Sequence, residues 1–169
     1  ATIFPHNRII GPSLMPLSEA TLNFLTELAS KRIEQSHPVA IFAGSLYEPR
    51  TSILTSIAAG LKEQGYVFEI HGREPNSPRT SDHEYWTTLV NASVIVTTAN
   101  QVELKGMDWT WIDNMVYRYL EVIACGTLLV APDVPGIRRY FIPSVHYAAF
   151  GNVDEAIEVI AKYLTNSAE

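Results

Sequence analysis

The sequence has little cysteine, little charge and no histidine pair with metal-ligand spacing. Its single cysteine, Cys125, lies in an apolar stretch, which favours a buried reduced thiol over a metal ligand or a nucleophile. A lone reduced thiol is typical of a reducing compartment. The five histidines show neither HxxxH nor HxH spacing, so we predict no metal site.

Basic residues and long apolar runs are also scarce. The chain has 12 lysines and arginines against 18 aspartates and glutamates, which gives a net charge of −6. Nucleic-acid-binding surfaces are normally basic, so we expect no nucleic-acid partner, and any phosphate contact must be local. Every apolar run is interrupted well before the roughly 18 residues that a transmembrane helix requires, and the first residues lack a signal-peptide pattern. We therefore expect a cytoplasmic protein with no transmembrane segment.

The length of the chain suits one hydrophobic core. Its 169 residues, 47% of them hydrophobic, favour a single domain over two. Prolines interrupt the first residues, so we predict an extended arm over 1–16 and one domain over 17–169. The sequence begins with Ala1 rather than methionine, and we expect it to be part of a larger two-domain protein.

Strand and helix patterns alternate along the domain. Short apolar runs predict about five strands, at 39–43, 66–70, 93–98, 127–131 and 145–149. Amphipathic or capped segments predict helices at 18–35, 51–64, from Ser81, at 112–124 and after Asn152. This alternation predicts an α/β fold: a doubly wound, mostly parallel, Rossmann-like sheet with helices on both faces. We expect the strand order 3-2-1-4-5, with ligands bound at the carboxyl ends near the switch point between the first and fourth strands.

Two segments at this edge have candidate functional residues. In the loop from Gly44 to Arg50, glycine permits close backbone approach and an arginine stands at a helix start, which suits phosphate, although an ordinary turn with a solvated arginine explains the pattern equally well. On the helix at 112–124, at about 100° per residue, one narrow arc groups several polar residues. These are Asn114, Tyr117, Arg118 and Glu121, and Asp113 lies beside them at the N-terminal end. Periodicity alone favours an exposed face here, with an Arg118–Glu121 surface pair worth under about 1 kcal/mol.

Two motifs resemble a known family. The segment from Arg118 to Pro132 is similar to the signature of the C-terminal, nucleotide-sugar-binding domain of GT-B-fold glycosyltransferases of group 1, where Arg-x-Phe-Glu or Leu-Glu precedes Ala-x-Ala-x-Gly and an apolar strand. The loop from Gly44 to Arg50 resembles the Gly-Arg-Leu-x-x-x-Lys segment of the same domain, with Ser45 for the usual arginine and Arg50 for the lysine. The resemblance covers about 38–164, and bacterial relatives look especially similar.

The resemblance implies roles for individual residues. Glu121 would bind the ribose hydroxyls, and Asp113, where the family usually has glutamate, would contact the donor sugar. Arg50, with Arg118 as a second candidate, would neutralise the diphosphate, so that the catalytic residues would be Asp113 and Arg50. Backbone amides at the helix start would assist them, and the ends of the first two strands would complete the site. These further positions are Asn114, Met115, Val116, Gly44, Ser45, His71 and Gly72, with Arg73 beside the last two.

The implied function is transfer of a sugar from a nucleoside-diphosphate sugar to an acceptor. The donor is a substrate and no cofactor is expected. The acceptor and any catalytic base would lie on an N-terminal domain outside this chain, so this domain alone would catalyse little. Two alternatives stay open: a nucleotide-sugar epimerase of the same architecture, and a non-catalytic interaction domain, which Ser45 and Asp113 favour. Among the aromatics, Tyr85 and Trp86 are interpreted as packing residues, and Trp109 and Trp111 as loop anchors.

Overall fold

A computed structural model describes residues 17–33, 37–73, 77–78, 80–98, 116–134 and 137–166. The helices are α1 (Glu19–Ser30), α2 (Arg50–Glu63), α3 (Asp82–Asn91), α4 (Arg118–Ala124) and α5 (Val153–Thr165), with a 3₁₀ turn at Ile137–Arg139. The strands are β1 (Ala40–Ser45), β2 (Phe68–Arg73), β3 (Val94–Val96), β4 (Leu128–Pro132) and β5 (Ala148–Phe150). The predicted arm at 1–16 and the loop with Trp109 and Trp111 lie outside the described residues. Within these ranges, no helix is both long and apolar enough to cross a membrane.

The five strands form one parallel sheet, which confirms the predicted α/β class. Their order is β2-β1-β3-β4-β5, so the predicted order 3-2-1-4-5 is wrong. β3 lies between β1 and β4 because Val94–Val96 is buried along its whole length and needs a neighbour on each side. β2 has half of its side chains exposed and is an edge strand. The chain therefore changes direction across the sheet between β1 and β3, so the switch point lies there rather than between the first and fourth strands.

The last strand is shorter than its sequence pattern predicts. Residues 144–147 form a turn in which the Ser144 amide donates to the Tyr147 carbonyl at 2.8 Å, and Ser144 has a φ of 64°. The Ile142 amide donates to Nδ1 of His146 at 2.9 Å, which fixes the same turn. Because this turn satisfies the backbone locally, the chain enters the sheet only at Ala148.

Each face of the sheet is covered by helices. β1 shows the alternation: Ile41 points to the side covered by α1, α3 and α4, whereas Phe42 points to the side covered by α2 and α5. Serine and asparagine side chains begin three of the helices, with Ser81 accepting from the Glu84 amide at 3.2 Å and Asn152 accepting from the Glu155 amide at 2.9 Å. Both predicted caps are confirmed. The α1–α3–α4 side, where α3 and α4 meet the carboxyl ends of β1 and β2, forms the walls of the candidate site.

Candidate functional site

A cavity of about 500 Å³ opens at the carboxyl ends of β1 and β2, between α3 and α4. This is the edge at which parallel α/β sheets bind ligands. Its lining includes six of the residues that the sequence indicated for the site, together with several that it did not. The six are Gly44, Ser45, His71, Arg73, Arg118 and Glu121, and the others include Asp82, Glu84, Tyr85 and Trp86.

Three side chains form a connected cluster on the cavity wall, the Tyr85–Arg118–Glu121 cluster. The Tyr85 hydroxyl donates to Oε2 of Glu121 at 2.7 Å. Arg118 Nε lies 3.2 Å from the same oxygen, at an angle that makes an ion pair rather than a hydrogen bond. The Arg118 guanidinium also stacks over the Tyr85 ring, 4.9 Å from its centroid, and its Nη1 donates to the carbonyl of Ala43 at the end of β1. The cluster ties α3 and α4 to the first strand.

Burial sets the electrostatics of this cluster. The side chains of Arg118 and Glu121 are only 18% and 13% exposed, so the pair is not the solvated surface pair that periodicity alone favours. Burial raises the pKa of Tyr85, and the negative charge of Glu121 raises it further against the opposing effect of Arg118. The Tyr85 hydroxyl therefore stays protonated at neutral pH and can donate to Glu121.

The absence of a side chain at Gly44 makes room for the guanidinium of Arg118. A Cβ at this position would lie 3.1 Å from Nη2 of Arg118 and 3.2 Å from Cζ of Phe42. The missing side chain lets the guanidinium lie directly on the end of β1. The expectation that glycine permits a close approach here is thus met by a protein group, Arg118.

Arg50 lies behind the cavity rather than on its wall. Only 9% of the residue is exposed. Its Nε donates to Oγ1 of Thr98 at 2.8 Å, and its Nη1 donates to the carbonyl of Ser45 at 3.0 Å. Burial lowers the pKa of its guanidinium, and the positive charge of Arg118 lowers it further, against the opposing effect of Tyr47. In this arrangement Arg50 connects the ends of β1 and β3.

Of the two predicted residues at the end of β2, one lines the cavity and the other packs against a neighbouring loop. His71 lines the cavity, and its Nε2 lies 2.7 Å from Oε2 of Glu69. Gly72 instead receives the side chain of Leu46, since a Cβ on Gly72 would lie 2.3 Å from Cδ1 and 2.6 Å from Cγ of Leu46. The glycine is therefore explained by packing of the loop that follows β1.

That packing gives a prediction for Gly72→Ala. The added methyl would displace the whole Leu46 side chain, so we expect a loss of about 1–3 kcal/mol of the free energy of unfolding. Urea denaturation of the wild type, both single variants and Gly72→Ala/Leu46→Ala would measure it. The double variant should be no less stable than Leu46→Ala, because the clash has gone. Strictly additive losses would contradict this packing role.

The remaining predicted positions belong to the predicted helix at 112–124. Asp113, Asn114 and Met115, with the predicted start of the helix at 112, lie outside the described residues. Val116 packs against the core on the α1–α3–α4 side and is not among the lining residues. In the part of the chain that the structure describes, no group of histidine, cysteine, aspartate or glutamate side chains could hold a metal ion.

The sequence interpretation missed the place of Tyr85 at the site. Tyr85 was interpreted as a packing aromatic, and its ring does contact Trp86, at 5.2 Å between centroids. A signal was available, because α3 follows β2 and its first turns must lie at the carboxyl edge of a parallel sheet. Arg73, the last residue of β2, belongs to the same edge for the same reason.

Removal of the Tyr85 hydroxyl is expected to weaken the cluster modestly. Tyr85→Phe takes away one hydrogen bond to a carboxylate, and we expect a loss of about 1.5 kcal/mol in the free energy of unfolding. Tyr66→Phe is the matched control, since its hydroxyl bonds Thr165 in exposed surroundings. Denaturant melts of both variants measure the difference. If Tyr85→Phe and Tyr66→Phe lose the same free energy of unfolding, the hydrogen bond from Tyr85 to Glu121 stabilises the protein no more than an exposed one.

Comparison with known proteins gives one family match and a set of structural matches. The sequence model of the family described as glycosyl transferase-like matches residues 50–169. Among solved structures, the chain is similar to the C-terminal domain of the glycosyl transferase group 1 family protein LpcC from Francisella tularensis, with a TM-score of 0.53 and 11% identity over 85% of this chain and 83% of that one. At this identity the likeness shows the fold alone.

Other comparisons add little. A flavo di-iron protein mutant from Thermotoga maritima is 14% identical over 84% of this chain and 38% of that chain, with a TM-score of 0.48 that is too low to support an argument. No curated protein sequence matches the chain.

Proposed function

The chain belongs to the glycosyl transferase-like family, and from that premise we propose that it binds the nucleoside-diphosphate sugar donor of a glycosyltransferase. The Tyr85–Arg118–Glu121 cluster at the end of β1 is the observation that most supports this proposal. It combines a guanidinium and a carboxylate on the wall of a cavity of about 500 Å³, which is large enough for such a ligand.

The carboxylate suits a sugar hydroxyl. Both contacts of Glu121 with protein groups fall on Oε2, and among the described residues Oε1 has no hydrogen bond. A carboxylate oxygen accepts hydrogen bonds well from hydroxyl groups, as the ribose of a nucleotide requires. Because Tyr85 and Arg118 fix Oε2, the orientation of Oε1 is set before the ligand arrives, which reduces the entropy lost on binding.

The guanidinium suits the diphosphate. Arg118 lies over the backbone of Gly44, so a phosphate that approaches this glycine would meet a fixed positive charge. When the sugar leaves the donor, negative charge grows on the diphosphate, and a preorganised guanidinium stabilises it. Arg50 would support this site indirectly, by holding the Ser45 carbonyl.

The proposed reaction needs a second domain. The acceptor and the base would come from an N-terminal domain, so the chain by itself is proposed to bind the donor and to transfer little sugar. No cofactor is required, because the diphosphate of the donor is the leaving group. The epimerase has no specific support among the described residues, and the interaction domain is favoured there only by Ser45.

Calorimetric titration tests the donor site. We expect the wild-type chain to bind uridine or guanosine diphosphate and Glu121→Gln to bind it about tenfold more weakly, because an amide oxygen is a poorer acceptor for hydroxyls than a carboxylate. Glu158→Gln, on the exposed side of α5, is the matched control and should leave the affinity unchanged. If the wild type binds no nucleoside diphosphate at millimolar concentration, the proposed function is wrong.

A further inference from the structure

We propose that Arg73 is a second phosphate-binding residue, which contacts the diphosphate from the side opposite Arg118. The inference rests on the proposed function and adds to it a residue to which the family resemblance gives no phosphate role. Ser45 stands where the Gly-Arg-Leu-x-x-x-Lys segment of the family has an arginine. Arg73 would supply a positive charge at that place from the neighbouring strand β2.

The sheet register brings Arg73 to this place. Ser45 and Arg73 end their strands side by side as register partners. The Nη2 atom of Arg73 donates to Oγ of Ser45 at 3.1 Å, and Nη1 donates to the carbonyl of Ser77 at 3.1 Å. These bonds hold the guanidinium across the end of β1, on the lining of the cavity. A long side chain that is already ordered loses little entropy when it binds a ligand.

The charge of Arg73 is not neutralised within the described ranges. No described carboxylate forms a salt bridge with it, whereas Arg118 has Glu121 and Arg138 has Asp133. The two atoms to which it donates, the Ser77 carbonyl oxygen and Oγ of Ser45, are both neutral. An arginine on a cavity wall with only neutral partners is suited to an anionic ligand.

Two guanidinium groups therefore flank two consecutive small residues. Arg118 lies against Gly44, and Arg73 lies against Ser45. The opposite wall, at the first turn of α3, presents the carboxylates of Asp82 and Glu84. Repulsion from these carboxylates and attraction to both arginines would confine a dianionic group to the β1 side of the cavity. A diphosphate carries two anionic groups, one for each arginine.

A packing role alone makes a different prediction. If Arg73 only fastens the loop at Ser77, its removal would affect stability and would change the affinities for a nucleoside and for its diphosphate by the same factor. If it contacts the phosphates, its removal would weaken only the ligands that contain them. The choice of ligand therefore separates the two roles.

The test uses the full chain and the variants Arg73→Gln, Arg73→Lys and Ser45→Ala. Each is titrated with uridine, uridine diphosphate, guanosine diphosphate and inorganic pyrophosphate. We expect Arg73→Gln to weaken diphosphate and pyrophosphate binding about tenfold or more and uridine binding less than about twofold. Arg73→Lys should restore part of the loss, since it keeps the charge without the planar fork. Ser45→Ala should give a smaller loss in the same direction. Lys62→Gln on α2 controls for the change in net charge.

The outcomes separate this inference from the proposed function. Equal diphosphate affinities of wild type and Arg73→Gln overturn the role of Arg73 and leave the donor site standing. Pyrophosphate binding that depends on Arg73, in a chain that binds no nucleoside diphosphate, supports the anion site and overturns the donor site. A wild-type chain that binds neither ligand overturns both.

Discussion

Arg118→Met is expected to lower the free energy of unfolding by about 3 kcal/mol, because it leaves a mostly buried carboxylate without its cation. Glu121 is 13% exposed and would keep only the Tyr85 hydroxyl as a partner. The carbonyl of Ala43 would lose its donor as well. Guanidinium denaturation monitored by circular dichroism measures the loss, and the nucleoside-diphosphate affinity should fall with it.

Two further variants make the Arg118 result interpretable. Arg118→Met/Glu121→Gln should recover much of the stability, since no uncompensated charge remains, while the ligand affinity stays low. Lys31→Met is the surface control: its pair with Glu27 is 67% exposed on both sides and should contribute at most about 1 kcal/mol. A loss for Arg118→Met as small as that for Lys31→Met would mean that the cluster is only a surface pair.

The fold class could be predicted from the sequence because its evidence is local. Buried strands of a parallel sheet are continuous apolar runs, and all five were found within a few residues of their positions. The order of the strands cannot be predicted from each strand's own sequence alone. It depends on which apolar segments are buried between two other strands and which lie at an edge. Val94–Val96 is the shorter run but is buried throughout, whereas Phe68–Arg73 is half exposed. The polar residues of Phe68–Arg73 indicate an edge strand, and counting them would have placed this strand at the edge of the sheet.

The error in strand order also explains what was missed at the site. Arg50 bonds Thr98, which follows β3, and this contact is available only because β3 pairs directly with β1. In the order 3-2-1-4-5, β2 would separate them, and Arg50 would be left to reach the ligand. The polar arc of Arg118 and Glu121 was predictable from helical periodicity. Its partners Ala43 and Tyr85 lie 75 residues before Arg118 and 36 before Glu121, and no periodicity links them.

Cys125 should react with thiol reagents about a thousandfold more slowly in the native protein than in the unfolded chain at pH 8. The residue is fully buried. Burial raises the pKa of its thiol to about 12, and the negative charge of Glu121 contributes in the same direction. Since only the thiolate reacts, the ionised fraction at pH 8 falls from about one in ten to about one in ten thousand. Timed reaction with an aromatic disulfide, with and without denaturant, measures the ratio.

The same shift in pKa makes stability depend on pH in a definite direction. The pKa of Cys125 is raised on folding, so its contribution is complete below the ordinary value near 9 and is lost as the pH rises towards about 12. Between pH 8 and pH 10 the unfolded thiol ionises and the native one does not, which should cost about 1 kcal/mol. Cys125→Ala removes the contribution of the thiol to this pH dependence. The buried tyrosines, whose pKa values are also raised, titrate in both proteins, so their effect cancels in the comparison. The free energy of unfolding of wild type and of Cys125→Ala is measured from pH 8 to pH 10. If both fall by the same amount, or if the native thiol is labelled fast, Cys125 is accessible to solvent and the α4 side of the site opens readily.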